Sequence, residues 1–105
     1  ATIKLLQSEN RPDAVLAFND IITYAAFDAI KECGLSIPDD VAIIGFTDGD
    51  SAAFVTPKLS AIMDQAHVQG NKSCELLMRN INGDQCIYKE VVPMILKIRE
   101  SSEKN

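Results

Sequence analysis

Two short apolar runs, almost unbroken, constrain this chain more than anything else in it: DAVLAF at 13–18 and VAIIGF at 41–46. A run that is continuous rather than alternating reads as a strand covered on both faces. Between the runs lies a helical pattern that opens at Asp20, a good N-cap residue, and extends to about Cys33, with Gly34 as its C-terminal stop. Strand, helix and strand within roughly 35 residues form a βαβ unit, whose strands are parallel and whose crossover is right-handed. The fold class is therefore α/β with a parallel sheet.

The remaining segments fit that class. Thr2 to Glu9 reads as a helix end, stopped by Asn10-Arg11-Pro12. A third strand is expected over Leu59 to Met63, entered through Thr56-Pro57. A second long helix spans about Ala66 to Ile81 and stops at Asn82-Gly83. The last strand, about Glu90 to Ile98, carries Pro93, which puts it at an edge or a bend.

On the first helix, Ile22, Ala25, Ala26, Ala29 and Cys33 share one face, and that face is expected on the sheet. Tyr24 and Phe27 fall off it, so either a partner or another part of the same chain has to cover them. On the second helix, Ala66, Gly70, Ser73, Cys74 and Leu77 make a stripe of mostly small residues opposite Lys72, Glu75 and Arg79. Close packing on a sheet is the expected use of that stripe.

Ligands of open parallel sheets bind beyond the carboxyl ends of the strands. All three expected parallel strands end in polar residues: Asn19 and Asp20, Thr47 and Asp48, Asp64 and Gln65. Together they offer carboxylate and amide oxygens with amide and hydroxyl donors, which suits a polyhydroxylated ligand such as a sugar. Taken singly, each has a plainer role. Asp20 would cap its helix, 47–50 would make a turn around Gly49, and Asp64 would be a solvated strand end. Coincidence at three strand ends favours a ligand wall.

Composition narrows the partners. The 105 residues carry a net charge of −5, which leaves no basic footprint for DNA or RNA. Cys33, Cys74 and Cys86 lack a Cys-x-x-Cys pair and read as buried or half-buried reduced thiols. His67 is the single histidine, so no imidazole-based metal cluster is expected, and no cofactor motif is present. No apolar run approaches the ~20 residues of a membrane span, and no signal peptide is visible, so a cytoplasmic, non-membrane protein is expected. Catalysis is not expected: no phosphate loop and no nucleophile–base set stands in a recognisable context. A phosphoacceptor receiver domain would need acidic residues after its first strand, whereas Asp13 lies at the start.

The stretch Gly34 to Asp48, GLSIPDDVAIIGFTD, closely resembles the most diagnostic segment of lactose/galactose-repressor (LacI/GalR) transcriptional regulators. RPDAVLAFNDIITYAAFDAIKECG upstream, TPKLSAIMDQAHVQGNKSCELL downstream and the closing LKIRESS are similar to further segments of that family, in the same order. The likeness covers about Arg11 to Ser102.

That resemblance implies a type I periplasmic-binding-protein-like fold with a small metabolite held between two α/β lobes. This chain would supply most of the C-terminal lobe, cut off from the N-terminal lobe and from the DNA-binding head. The helix around Ala66 to Ile81 would be the one that crosses to the other lobe. Without that lobe it would pack differently, for example on a second copy. Asn19 matches the family's ligand-contacting Asn, Thr47 stands where an Asp is usual, and Asp64 where a Gln is common. Tyr24, Phe54 and Val55 match positions of the family's dimer interface. The implied function is effector sensing and homodimerisation in a regulator that reaches DNA only through its head, with allosteric coupling of the two. A periplasmic sugar-binding protein of an uptake system is the alternative with the same fold.

Overall fold

The structure, a computed structural model, describes residues 1–47, 50–84 and 89–104. A short helix, α1 (Thr2–Leu6), leads into β1 (Ala14–Ala17), α2 (Asp20–Glu32) and β2 (Ala42–Phe46). A single 3-10 turn (Asp50–Ala53), which no sequence signal marks, precedes β3 (Ser60–Met63). Then come α3 (Ala66–Ile81) and β4 (Ile95–Lys97). The sheet has the order β1-β2-β3-β4. Its first three strands are parallel, with Ala17 beside Gly45 and Phe46 beside Ile62, and β4 runs antiparallel to β3, with Ile95 beside Met63.

Strand β4 is shorter than its apolar sequence suggests because it begins only after Pro93, which has no N–H for a ladder. It lies at the edge of the sheet.

Alternation along the strands separates two faces. Ala17, Ile43 and Ala61 are buried on the face against which α2 packs. The opposite face is open: Leu16 is 64% and Leu96 53% exposed, and Ile44 and Ile62 are half-buried. Continuous apolar runs lead one to expect cover on both faces; among the described residues only one face has a helix.

The seating of α2 corrects the sequence expectation. Its buried residues are Thr23, Ala26, Phe27, Ala29 and Ile30, whereas Ile22 is 50% exposed and Ala25 is exposed. Phe27 and Ile30 are the bulkiest apolar side chains of that turn, and burying them removes the most surface from water. They rotate the helix away from the Ala-rich stripe. Phe27 joins Leu6, Val41, Ile43 and Leu59 in the core, with Lys31 Nζ 4.7 Å above its ring. Tyr24, too, packs against this core, so the chain itself covers much of both aromatics.

α3 has the boundaries its periodicity predicts and ends at Gly83, whose φ of 90° a side chain would resist. No α3 residue is buried, and the small-residue stripe meets no sheet. Cys74 on that stripe is exposed, contrary to the expected cover, and Cys33 is half-buried; Cys86 lies outside the described residues. Ion pairs from Glu75 to Lys72 and Arg79 brace the exposed helix along its surface. The closing segment 99–102 reaches the starts of β2 and β3, where Ile43 donates its N–H to the Ser101 carbonyl at 2.9 Å.

Candidate functional site

Four polar residues from the ends of three strands meet around one concavity of ≈ 350 Å³: Asn19, Asp20, Thr47 and Asp64. Parallel pairing brings them together, because it puts the carboxyl ends of β1, β2 and β3 on one edge. Asp48 and Gly49 lie outside the described residues. Apolar walls come from Phe18, Phe46, Ile62 and Met94. Phe18 and Phe46 are tilted against each other at 45°, their centroids 6.1 Å apart. A site with aromatic walls and scattered polar groups accommodates the two surfaces of a saccharide, C–H faces and hydroxyls.

Asn19 is held from three directions. Its Oδ1 accepts the Ile22 N–H at 2.9 Å, which makes Asn19 the N-cap of α2. Asp20, read from sequence as the cap, is instead the first helical residue and is exposed. An amide one position earlier reaches the same free N–H groups, so its Oδ1 is committed to the helix while Nδ2 remains a donor. The Asn19 carbonyl accepts the Thr23 N–H at 2.8 Å and the Thr23 hydroxyl at 2.6 Å. Thr23 in turn presses on β2 at Gly45, where any Cβ would overlap its side chain. The glycine therefore sets how closely the start of α2, and with it Asn19, approaches the sheet.

Thr47 is 4% exposed and donates its N–H to the Ile62 carbonyl at 3.2 Å, which extends the β2–β3 pairing to the rim. Asp64 is exposed at the end of β3. The next residue, Gln65, donates from Nε2 to the Pro93 carbonyl at 2.7 Å. That bond fixes the returning segment whose Met94 closes the apolar wall. Phe18 and Phe46 could have been found from sequence as the last apolar residues before each polar strand end. Met94 could not, since it arrives through a connection with no regular pattern.

The three residues matched to a dimer interface differ in exposure. Phe54 is 84% exposed, whereas Tyr24 and Val55 are half-buried against the core. The Tyr24 hydroxyl bonds the Ser51 hydroxyl at 2.6 Å, tying α2 to the 3-10 turn that leads to Phe54. Among the described residues no group of three His, Cys, Asp or Glu side chains is placed to hold a metal. No described helix is long and apolar enough to cross a membrane.

Residues 1–102 match the model of the periplasmic binding protein-like domain. The chain is 37% identical over 100 residues to a lactose operon repressor of Rhizobium radiobacter, covering 95% of this chain and 88% of that one. It is 36% identical over 78 residues to the HTH-type transcriptional repressor PurR of Aliivibrio salmonicida, covering 74% of this chain but only 23% of the repressor. Its fold superposes with a TM-score of 0.78 and 30% identity on a LacI family transcriptional regulator from Enterococcus faecium solved with bound ribose, covering 96% of this chain and 37% of that one. The chain thus spans well under half of two of these three proteins and nearly all of the third. These relatives are transcriptional regulators, which favours that role over an uptake protein. From the βαβ core to the closing segment, the chain belongs to the periplasmic binding protein-like domain family, among the LacI-family transcriptional regulators.

Proposed function

We propose that this chain is the C-terminal lobe of an effector-sensing domain, forming one wall of the cleft that holds a sugar or similar small polar metabolite. The observation that carries the proposal is the meeting of Asn19, Asp20, Thr47 and Asp64 with two aromatic rings at the carboxyl ends of three parallel strands. The bound ribose of the Enterococcus faecium regulator and the lactose operon repressor relative support a saccharide. Asp48 belongs to the same proposed ligand set. The protein is a cytoplasmic regulator and not an enzyme, and it forms homodimers through Tyr24, Phe54 and Val55. It contacts DNA through a separate N-terminal head.

In the full-length regulator, α3 crosses to the other lobe. That none of its residues is fully buried here, and that one face of the sheet is open, support that role. Effector binding changes lobe closure and so the affinity for DNA. The test is a DNA-binding titration of the full-length protein with and without saccharides. One of them is expected to shift operator affinity by about 5- to 150-fold, the range of an ordinary allosteric coupling. A protein whose DNA affinity ignores every saccharide that it binds sinks the sensing role. These 105 residues by themselves, which supply one wall, are expected to bind neither sugar nor DNA appreciably.

A further inference from the structure

The wall carries charge of one sign. Asp20 and Asp64 line the concavity, and no Lys, Arg or His stands among its described lining residues. Neither carboxylate has a hydrogen-bond or ion-pair partner among the described residues. Four cations elsewhere are engaged away from the concavity: Arg11 with Asp40 at 3.8 Å, Lys58 with Glu100 at 3.6 Å, Lys31 with the Thr56 carbonyl at 2.7 Å and Arg99 with the Leu59 carbonyl at 2.6 Å.

Hydrogen-bond capacity leans the same way. Ionised carboxylates only accept. Asn19, its oxygen engaged by the helix, opposes them with one amide donor group, which the carboxylate oxygens of Asp20 and Asp64 outnumber. The carboxylates of Asp20 and Asp64, which line the concavity, call for a ligand that donates to them, as hydroxyl and amino groups do. A phosphate or carboxylate offers those oxygens no proton near neutral pH. Beside the apolar rings of Phe18 and Phe46, repulsion between like charges is less screened than in water.

Building on the sensing role proposed above, we propose that Asp64, assisted by Asp20, is a charge filter. It admits neutral or amine-bearing polyhydroxylated ligands and rejects their phosphorylated or acidic derivatives. Asp64 is then the specificity-determining residue of this wall.

Calorimetry on the full-length regulator tests the filter with matched probes. Glucose, galactose, ribose and glucosamine are compared with glucose 6-phosphate, galacturonate and ribose 5-phosphate. The anionic member of a bound pair is expected to bind at least about tenfold more weakly than its neutral parent, a modest outcome for like charges a few ångströms apart. Asp64→Asn and, separately, Asp20→Asn narrow that ratio, while Glu103→Gln, an exposed charge outside the cavity lining, leaves it unchanged. An anionic derivative that binds the unaltered protein as tightly as its parent overturns the filter, as does a ratio that neither Asp variant moves. If no probe of either charge binds, it is the saccharide-sensing role that falls, a result distinct from equal binding of both.

Discussion

The Ser101 hydroxyl donates to the Ile43 carbonyl at 2.6 Å and accepts the Ser60 N–H at 2.8 Å, so one side chain near the chain's end joins β2 to β3. All three residues are fully buried. Ser60 repeats the arrangement on its other side: its hydroxyl accepts the Arg99 N–H at 2.7 Å and donates to the Arg99 carbonyl at 2.9 Å. With its proton so engaged, Ser60 leaves Ser102 to donate across their 2.7 Å contact. Ser101→Ala strips both backbone groups of their partner where water does not replace it. A loss of about 2–3 kcal/mol is expected, read as a lower urea midpoint with an unchanged slope. A midpoint equal to the parent's would mean that the segment does not bind the sheet as described.

Gly45 allows no side chain because Thr23 occupies the space a Cβ would take. Gly45→Ala is expected to cost about 1–3 kcal/mol, the usual range for overpacking. Thr23→Ala in the same protein should recover part of that loss by removing the overlapping γ atoms, and a double-mutant cycle on thermal midpoints measures the recovery. Strictly additive effects would show that the two positions do not touch.

Asn19 has two separable duties. Asn19→Ala removes the cap of α2 and is expected to cost about 1 kcal/mol. Asn19→Asp keeps an acceptor for the Ile22 N–H and should leave the unfolding midpoint within a few tenths of a kcal/mol of the parent. It lacks the amide donor, however, so saccharide affinity of the full-length protein should fall in both variants. Full affinity in Asn19→Asp would remove Asn19 from the ligand wall.

The parallel core is legible in the sequence because DAVLAF and VAIIGF are continuous, and the polar residues that end them mark the site edge without any packing knowledge. The seat of α2 is not, because an Ala-rich stripe and the Phe27–Ile30 face both satisfy helical periodicity, and only the volume left by Val41, Ile43 and Leu59 chooses between them. The cap is hard to read for a related reason: Asn19 and Asp20 are both good caps, and a one-residue shift in the helix start decides. Ser101 gives no signal at all, since its partners lie 41 and 58 residues away.

Acid should loosen two loops. The hydroxyl and N–H of Ser36 both donate to Asp40 and, with Arg11 nearby, hold its carboxyl below its ordinary value of 3.8. The Lys58 N–H and ammonium do the same for Glu100, whose ordinary value is 4.5. A carboxyl depressed on folding stabilises fully above its unfolded value and loses that contribution as pH falls through the folded one. Stability should therefore decline below about pH 4.5 as Glu100 begins to matter and further below about 3.8 as Asp40 joins, because the unfolded chain then binds more protons. Urea midpoints between pH 6 and pH 3 check this, and Asp40→Asn with Glu100→Gln should flatten the slope. An equal slope in the double variant would assign acid sensitivity to other carboxyls.

Phe54 distinguishes self-association from folding. At 84% exposure its ring contributes little to this chain's own core, whereas Val55 beside it packs inward. Burial of a Phe side chain is worth about 1.5–3 kcal/mol, and a two-fold symmetric interface contains the residue twice. Phe54→Ser in the full-length protein is therefore expected to raise the dimer dissociation constant by at least about two orders of magnitude while the unfolding midpoint of the monomer stays put. Val55→Ala, by contrast, should lower that midpoint. Sedimentation velocity across a concentration series separates the two, since only the first variant moves the dimer boundary at constant stability. Should Phe54→Ser sediment as the parent does at every concentration, the dimer face lies elsewhere on the molecule. The open sheet face carrying Leu16 and Leu96 would then be the next surface to substitute.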